Sequence, residues 1–183
     1  MKINEVIKLS CDFLGLSELK CEFDDANNSY LENEKLLRLL SCANLAYEEI
    51  LTEYLPILVT ENAQVTGGKL SYSALSQPIS GIVSVKNEAG EDVSYTLSAD
   101  HIDLKADKVE ITYQIMPQTF DFGDEISVIF PDRLLAYGTA REYLFIEGMS
   151  DEAVLYEKRF KEGLVSFVRK KTSIVLPRRK WKA

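Results

Sequence analysis

The hydrophobic period of this chain changes twice, and that change limits the folds open to it. Apolar residues recur at helical spacing up to about Tyr54, alternate from about Ile57 to Phe130, and return to helical spacing after Pro131. A helix-period stretch cannot bury its apolar stripe as a strand, nor the reverse. The pattern therefore predicts an α+β fold. Residues 1–56 and 131–172 form a helical body of about four helices, an antiparallel β meander (57–130) is inserted into it, and a basic C-terminal arm occupies 173–183. A length of 183 residues suits one domain carrying such an insertion. The chain shows no internal repeat and no low-complexity segment.

In the first helix Ile3, Val6, Ile7, Phe13 and Leu14 recur, with Asn4 as cap and Gly15 as stop. The polar stretch Glu22–Ser29 leads to the clearest helix, which Ser29 and Glu32 open as a capping box. Leu36, Leu40, Ala43, Tyr47, Ile50 and Tyr54 then form one apolar seam, roughly 37 Å long at 1.5 Å per residue, that Pro56 ends. A seam of that length needs a partner helix, in this chain or in a second copy. After Pro131, Asp132 caps a helix through about Glu147, with Gly148 past its end. Ser150 caps the last helix, where Ala153, Tyr156, Phe160, Leu164 and Phe167 make one stripe. Gly163 inside that helix costs about 1 kcal/mol against alanine, so a close crossing or a bend is expected there. The two helices are antiparallel neighbours, because their connection is so short.

Between these helical segments, Gly67-Gly68 marks a hairpin turn and Leu70-Ser71-Tyr72 a short strand. Val83 and Val85 alternate with Ser84 and Lys86; Val93, Tyr95 and Leu97 follow, then Ile102 and Leu104. The strongest strand sets Val109, Ile111, Tyr113 and Ile115 against Glu110, Thr112 and Gln114. One face of each strand should be buried and the other wet.

Charge is unevenly spread. Residues 169–183 hold seven bases and no acid, so the rest of the chain, with 14 bases against 29 acids, carries −15. An acidic body of this kind is no general nucleic-acid binder, although the basic end can engage a partner by itself. With 46% hydrophobic residues the chain can form a core, and no run of eighteen apolar residues suggests a membrane span. The first residues lack the pattern of a secretory signal. Three cysteines, Cys11, Cys21 and Cys42, are an odd number without metal-ligand spacing, which suits reduced thiols in the cytoplasm.

The catalytic inventory is thin. His101 is the only imidazole; alternation sends Asp103 to its face, and no nucleophile lies near in sequence, so a structural or solvated role is expected. Asp121-Phe122-Gly123 spells a kinase magnesium motif without the other kinase loops, and Gly67-Gly68-Lys69 is a phosphate-loop fragment without its flanking residues. Asp24-Asp25-Ala26-Asn27-Asn28 lacks the glycine and closing glutamate of a calcium loop. No catalytic, cofactor-binding or metal-binding residue is therefore expected, and no enzyme. The remaining signal is one of binding. Arg169, Lys170, Lys171, Arg178, Arg179, Lys180 and Lys182 surround Trp181, which could anchor the arm on an acidic surface. The other readings are a disordered, solubilising tail, as termini often fray, and contact of the arm with DNA, which the acidic body opposes and salt dependence would test.

The order of helices and strands, with Tyr113-Gln114-Ile115-Met116-Pro117 and Leu135-Ala136-Tyr137-Gly138-Thr139-Ala140-Arg141-Glu142-Tyr143-Leu144, resembles the head-to-tail connector (adaptor or ring) proteins of tailed bacteriophages. Gly148, Glu152-Ala153, Tyr156, Arg159-Phe160 and Leu164 complete the likeness, which covers roughly residues 30–172; Gly163 and the first 28 residues depart from it. The resemblance implies a virion protein of a phage or prophage, assembled in the host cytoplasm. It implies a homo-oligomeric ring, commonly of twelve copies, that docks on the portal protein, meets tail proteins and extends the channel through which double-stranded DNA passes. It assigns portal docking to the basic segment from Arg169 to Lys182. Alternatives are a tail-completion or terminator protein and a DNA-binding accessory protein acting through the tail.

Overall fold

The computed structural model describes residues 1–24, 31–127 and 130–171. Among these residues the fold is α+β, with five α-helices, four of them long, and antiparallel strands in two small sheets. Two compact units result, one made of residues 1–47 and 119–183 and the other of residues 48–118.

The first unit is helical. Helix α1 (Ile3–Leu14) ends at Gly15, whose φ of 70° is the left-handed conformation that glycine adopts freely. Its cap is Lys2 rather than Asn4, because the Asn4 side chain accepts from the Gly123 amide instead. A short helix α2 (Ser17–Cys21) and a 3₁₀ turn (Glu22–Asp24) follow. Helix α3 (Glu34–Glu49) starts later than the capping box predicts. Asn33 is the working cap: its Oδ1 accepts from the amides of Lys35 (2.9 Å) and Leu36 (3.3 Å), while its Nδ2 donates to Glu22. Ser29 lies outside the described residues. The predicted seam is buried at Leu36, Leu40, Ala43, Tyr47 and Ile50. The helix then widens over Ile50–Tyr54, where Leu55 N–H bonds the Ile50 carbonyl, before Pro56.

Helices α4 (Asp132–Ile146) and α5 (Ser150–Lys171) complete this unit. Pro131 and Met149 carbonyls accept the first amide bonds, so Asp132 and Ser150 are first helical residues and not caps. At the junction Gly148 has φ 77°, and Met149 N–H bonds Leu144 O at 2.9 Å. Residues 119–127, which alternation groups with the sheets, belong here. Lys2 pairs with Glu125, and Asn44 clamps Phe120 from both sides, donating to its carbonyl at 3.0 Å and accepting from its amide at 2.9 Å.

The second unit contains strands β1 (Leu58–Gln64), β2 (Lys69–Ser71), β3 (Ile79–Asn87), β4 (Tyr95–Leu97), β5 (His101–Leu104) and β6 (Lys108–Ile115). Every pairing is antiparallel, but the order is β1-β6-β3 in one sheet and β2-β5-β4 in the other. Only β4 and β5 are both consecutive and paired, so the strands do not run as a sequential meander. The Gly67-Gly68 turn is real: φ is positive at both residues, and Thr66 and Lys69 exchange both backbone bonds. One apolar cluster draws Leu70, Ile102 and Leu104 from one sheet and Val85, Val109, Ile111 and Tyr113 from the other. Two strand faces differ from the alternation. Between Ile82 and Ser84 the register against β6 shifts, which turns Val83 outward while Val85 stays buried. Tyr95 and Leu97 stand exposed because β4 is an edge strand, and β5 already fills the core beside it.

Candidate functional site

Of the basic segment assigned to docking, Arg169, Lys170 and Lys171 belong to the last turn of α5. Arg178, Arg179, Lys180, Trp181 and Lys182 lie outside the described residues.

His101 opens β5, and its ring lies between two carboxylates. Nδ1 is 2.5 Å from Asp100 and Nε2 is 3.3 Å from Asp103, which confirms that Asp103 shares its face. Asp103 also accepts from Ser98 Oγ at 3.0 Å. Both ring nitrogens therefore have an acid beside them, and Nδ1 is hydrogen-bonded to Asp100. The bond from His101 holds the Asp100 carboxyl below its ordinary range. This cluster ties the β4–β5 turn together. Among the described residues no group of three His, Cys, Asp or Glu side chains could hold a metal ion.

The motif fragments are turns. Asp121 N–H bonds the Asp124 carboxylate, and Asp124 O accepts from Ile3 N–H, so the Asp121-Phe122-Gly123 loop caps the start of α1. A groove of about 770 Å³ at one end of the first sheet is lined by Asn62, Gln64, Asn87 and Lys108. Its amide Asn87 Oδ1 is spent on its own turn, accepting from Ala89 and Glu91.

The helical pair α4–α5 is more distinctive. A Cβ placed on Gly163 would come within 2.8 Å of Leu134 Cδ1, which identifies the glycine as a close crossing. One on Gly138 would meet Ala46 Cβ at 2.7 Å and Phe160 Cε2 at 3.0 Å. Beside this contact Arg141 is buried. It donates to Glu157 at 2.8 Å and to Glu142, and its guanidinium lies 4.7 Å from the Phe160 ring centroid. Burial raises the Glu157 carboxyl, but bonds from Lys161 and Arg141 outweigh it and hold it below its ordinary range. Arg38 on α3 pairs with Glu147 at the end of α4.

This braced hairpin presents large apolar side chains outward. Phe145, Ile146, Met149, Val154 and Leu155 are all about half exposed or more. The helical stripe accounts for Ala153, Phe160 and Leu164 but not for Val154 and Leu155, which sit off it. Apolar residues on the polar side of a helix are the signal that identifies such a surface. Arg141, by contrast, gives no sequence signal, since an arginine in a helix ordinarily faces water. Among the described residues no helix is long and apolar enough to cross a membrane. No protein-family model matches this chain, and no curated protein is similar to it.

Proposed function

We propose that this chain is a structural protein of a tailed-phage or prophage particle, a head-to-tail connector that joins portal to tail as a homo-oligomeric ring. The observation that carries the reading is the run of exposed apolar side chains from Phe145 to Leu155 on a helical hairpin fixed by close glycine contacts and the Arg141 network. Exposed apolar side chains concentrated on one rigid element favour burial against another protein surface. The charge distribution supports the same reading. A conduit should release its DNA, and a body carrying −15 repels phosphate, while the basic segment from Arg169 to Lys182 supplies a localised attraction for an acidic portal surface. In this role no substrate is turned over and no cofactor is needed.

Mixing the purified chain with portal protein and weighing the product by size-exclusion chromatography with light scattering tests the proposal. A ring-sized complex is expected, and Met149→Glu together with Leu155→Glu should weaken it at least tenfold. A chain that stays monomeric with portal present would sink it.

A further inference from the structure

Most described cations with short polar contacts sit against carboxylates: Lys20 on Asp12, Arg38 on Glu147, Arg141 on Glu142 and Glu157, Lys161 on Glu157. Arg133 and Arg159 are different. Both are exposed, both lie against aromatic rings, and among the described residues neither has a carboxylate within salt-bridge distance. The Arg133 guanidinium lies 5.3 Å from the Tyr137 centroid and donates Nε–H to its hydroxyl at 2.6 Å. That of Arg159 lies 5.9 Å from the same centroid and 5.6 Å from the centroid of Tyr156.

The aromatic platform is itself fixed. Phe13, in the last turn of α1, stacks on Tyr137 with centroids 4.8 Å apart, and its carbonyl accepts from the Tyr156 hydroxyl at 2.5 Å. Phe13 stacks on the Tyr137 ring, and both guanidiniums lie within 6 Å of the same ring's centroid. The rings thus orient two arginines, reducing the side-chain freedom lost on pairing, and leave most of their N–H donors to solvent. A guanidinium stacked on an aromatic face can still bind a carboxylate through its in-plane donors.

From this geometry we infer that Arg133 and Arg159, held on the Tyr137 platform, form the receiving half of an interface for carboxylates of a second copy of this chain. The occupant follows from charge. Outside residues 169–183 the chain carries 29 acids against 14 bases, so a neighbouring copy supplies an acidic surface. Duplex DNA approaching the same two arginines meets the field of the whole −15 body. In a ring the contact is head-to-tail, a basic patch of one copy meeting acids elsewhere on the next, and repeating it closes the ring where the rotation allows. The inference rests on the ring reading above and names a contact within that ring.

Sedimentation velocity compares the parent chain with the double variant Arg133→Gln/Arg159→Gln at low and high salt. The parent should self-associate, with association at least tenfold weaker in the variant and in high salt, while the thermal midpoints of the two agree within a few degrees. A second measurement does not depend on that variant. Arg133→Lys and Arg159→Lys chains, mixed in isotopically light and heavy forms, are treated with a zero-length carbodiimide; cross-links from position 133 or 159 to a carboxylate of the other copy are expected. Association unchanged in the double variant, absence of inter-copy cross-links, or retention of duplex DNA that the double variant loses would each overturn the inference. A parent monomeric alone also overturns it, yet leaves the ring reading standing if portal protein then drives assembly. Failure to assemble with portal removes both.

Discussion

Alanine at Gly138 and alanine at Gly163 should have opposite fates, although both replace a glycine inside a helix. Each substitution gains about 1 kcal/mol of helix propensity. At Gly138 the new methyl would sit 2.7 Å from Ala46 Cβ, an atom fixed to the α3 backbone, and 3.0 Å from the edge of the Phe160 ring. Carbon atoms prefer about 3.5–4.0 Å, so α3 and α4 must separate or the ring must turn, at a typical overpacking cost of about 1–3 kcal/mol. With Phe160 fully buried and carrying Arg141 on its face, the upper half of that range applies. The expected net loss for Gly138→Ala is about 1–2 kcal/mol. At Gly163 the methyl meets only Leu134 Cδ1, the far end of a side chain that can rotate at about 0.5–1.5 kcal/mol. Gly163→Ala should therefore lie within about 0.5 kcal/mol of the parent, by the balance of strain against propensity. Urea unfolding followed by far-ultraviolet circular dichroism measures both, with unchanged m-values showing that only stability moved. The close-packing argument fails if Gly138→Ala is as stable as the parent, or if Gly163→Ala is the worse of the two.

Arg141→Ala should cost about 3 kcal/mol in the same assay, since it removes a buried partner of Glu142 and Glu157, leaves Glu157 with Lys161 alone and uncovers Phe160; Glu157→Gln should cost less than half of that. A thiol reagent at mildly alkaline pH should label Cys21 alone in the folded protein. Burial pushes the thiols of Cys11 and Cys42 up to about 11 and about 12, and rapid labelling of either would contradict their burial. The Glu61 carboxyl lies below its ordinary range because it accepts from the Ser76 side chain and amide and from the Tyr113 hydroxyl. Its contribution is complete above the ordinary glutamate range and disappears as pH falls through the lowered folded value. Glu61→Gln should thus be less stable than the parent at neutral pH, with a gap that narrows in acid; a gap that widens in acid would reverse the sign of the linkage.

What the chain's letters reveal depends on how local each interaction is. The α3 seam from Leu36 to Ile50 and the β6 alternation are legible because burial repeats with the element's own period. The Asn33 cap was masked by a stronger-looking motif at Ser29 and Glu32, since Asn33 lacks a Glu or Gln three residues on and so makes no capping box, yet it accepts from the Lys35 and Leu36 amides. The Val83 bulge and the placement of β6 between β1 and β3 depend on pairings between residues far apart in sequence, which no local period encodes. The exposed surface was half legible: Val154 and Leu155 depart from their helix stripe, whereas Arg133 and Arg159 acquire their shared setting only when α1, α4 and α5 bring Phe13, Tyr137 and Tyr156 together.

The helical unit is built from two stretches of chain with the whole of residues 48–118 between them. On the ribosome, α1 and most of α3 therefore emerge long before α4 and α5, while the strand-bearing unit is synthesised without interruption and closes once β6 is out. The early helices must keep their apolar faces out of mischief during that wait. Any slowing of translation between Gln118 and Lys171 would lengthen the interval in which the nascent product is prone to clump, so yield from an expression host should track elongation speed over that stretch more than over any other.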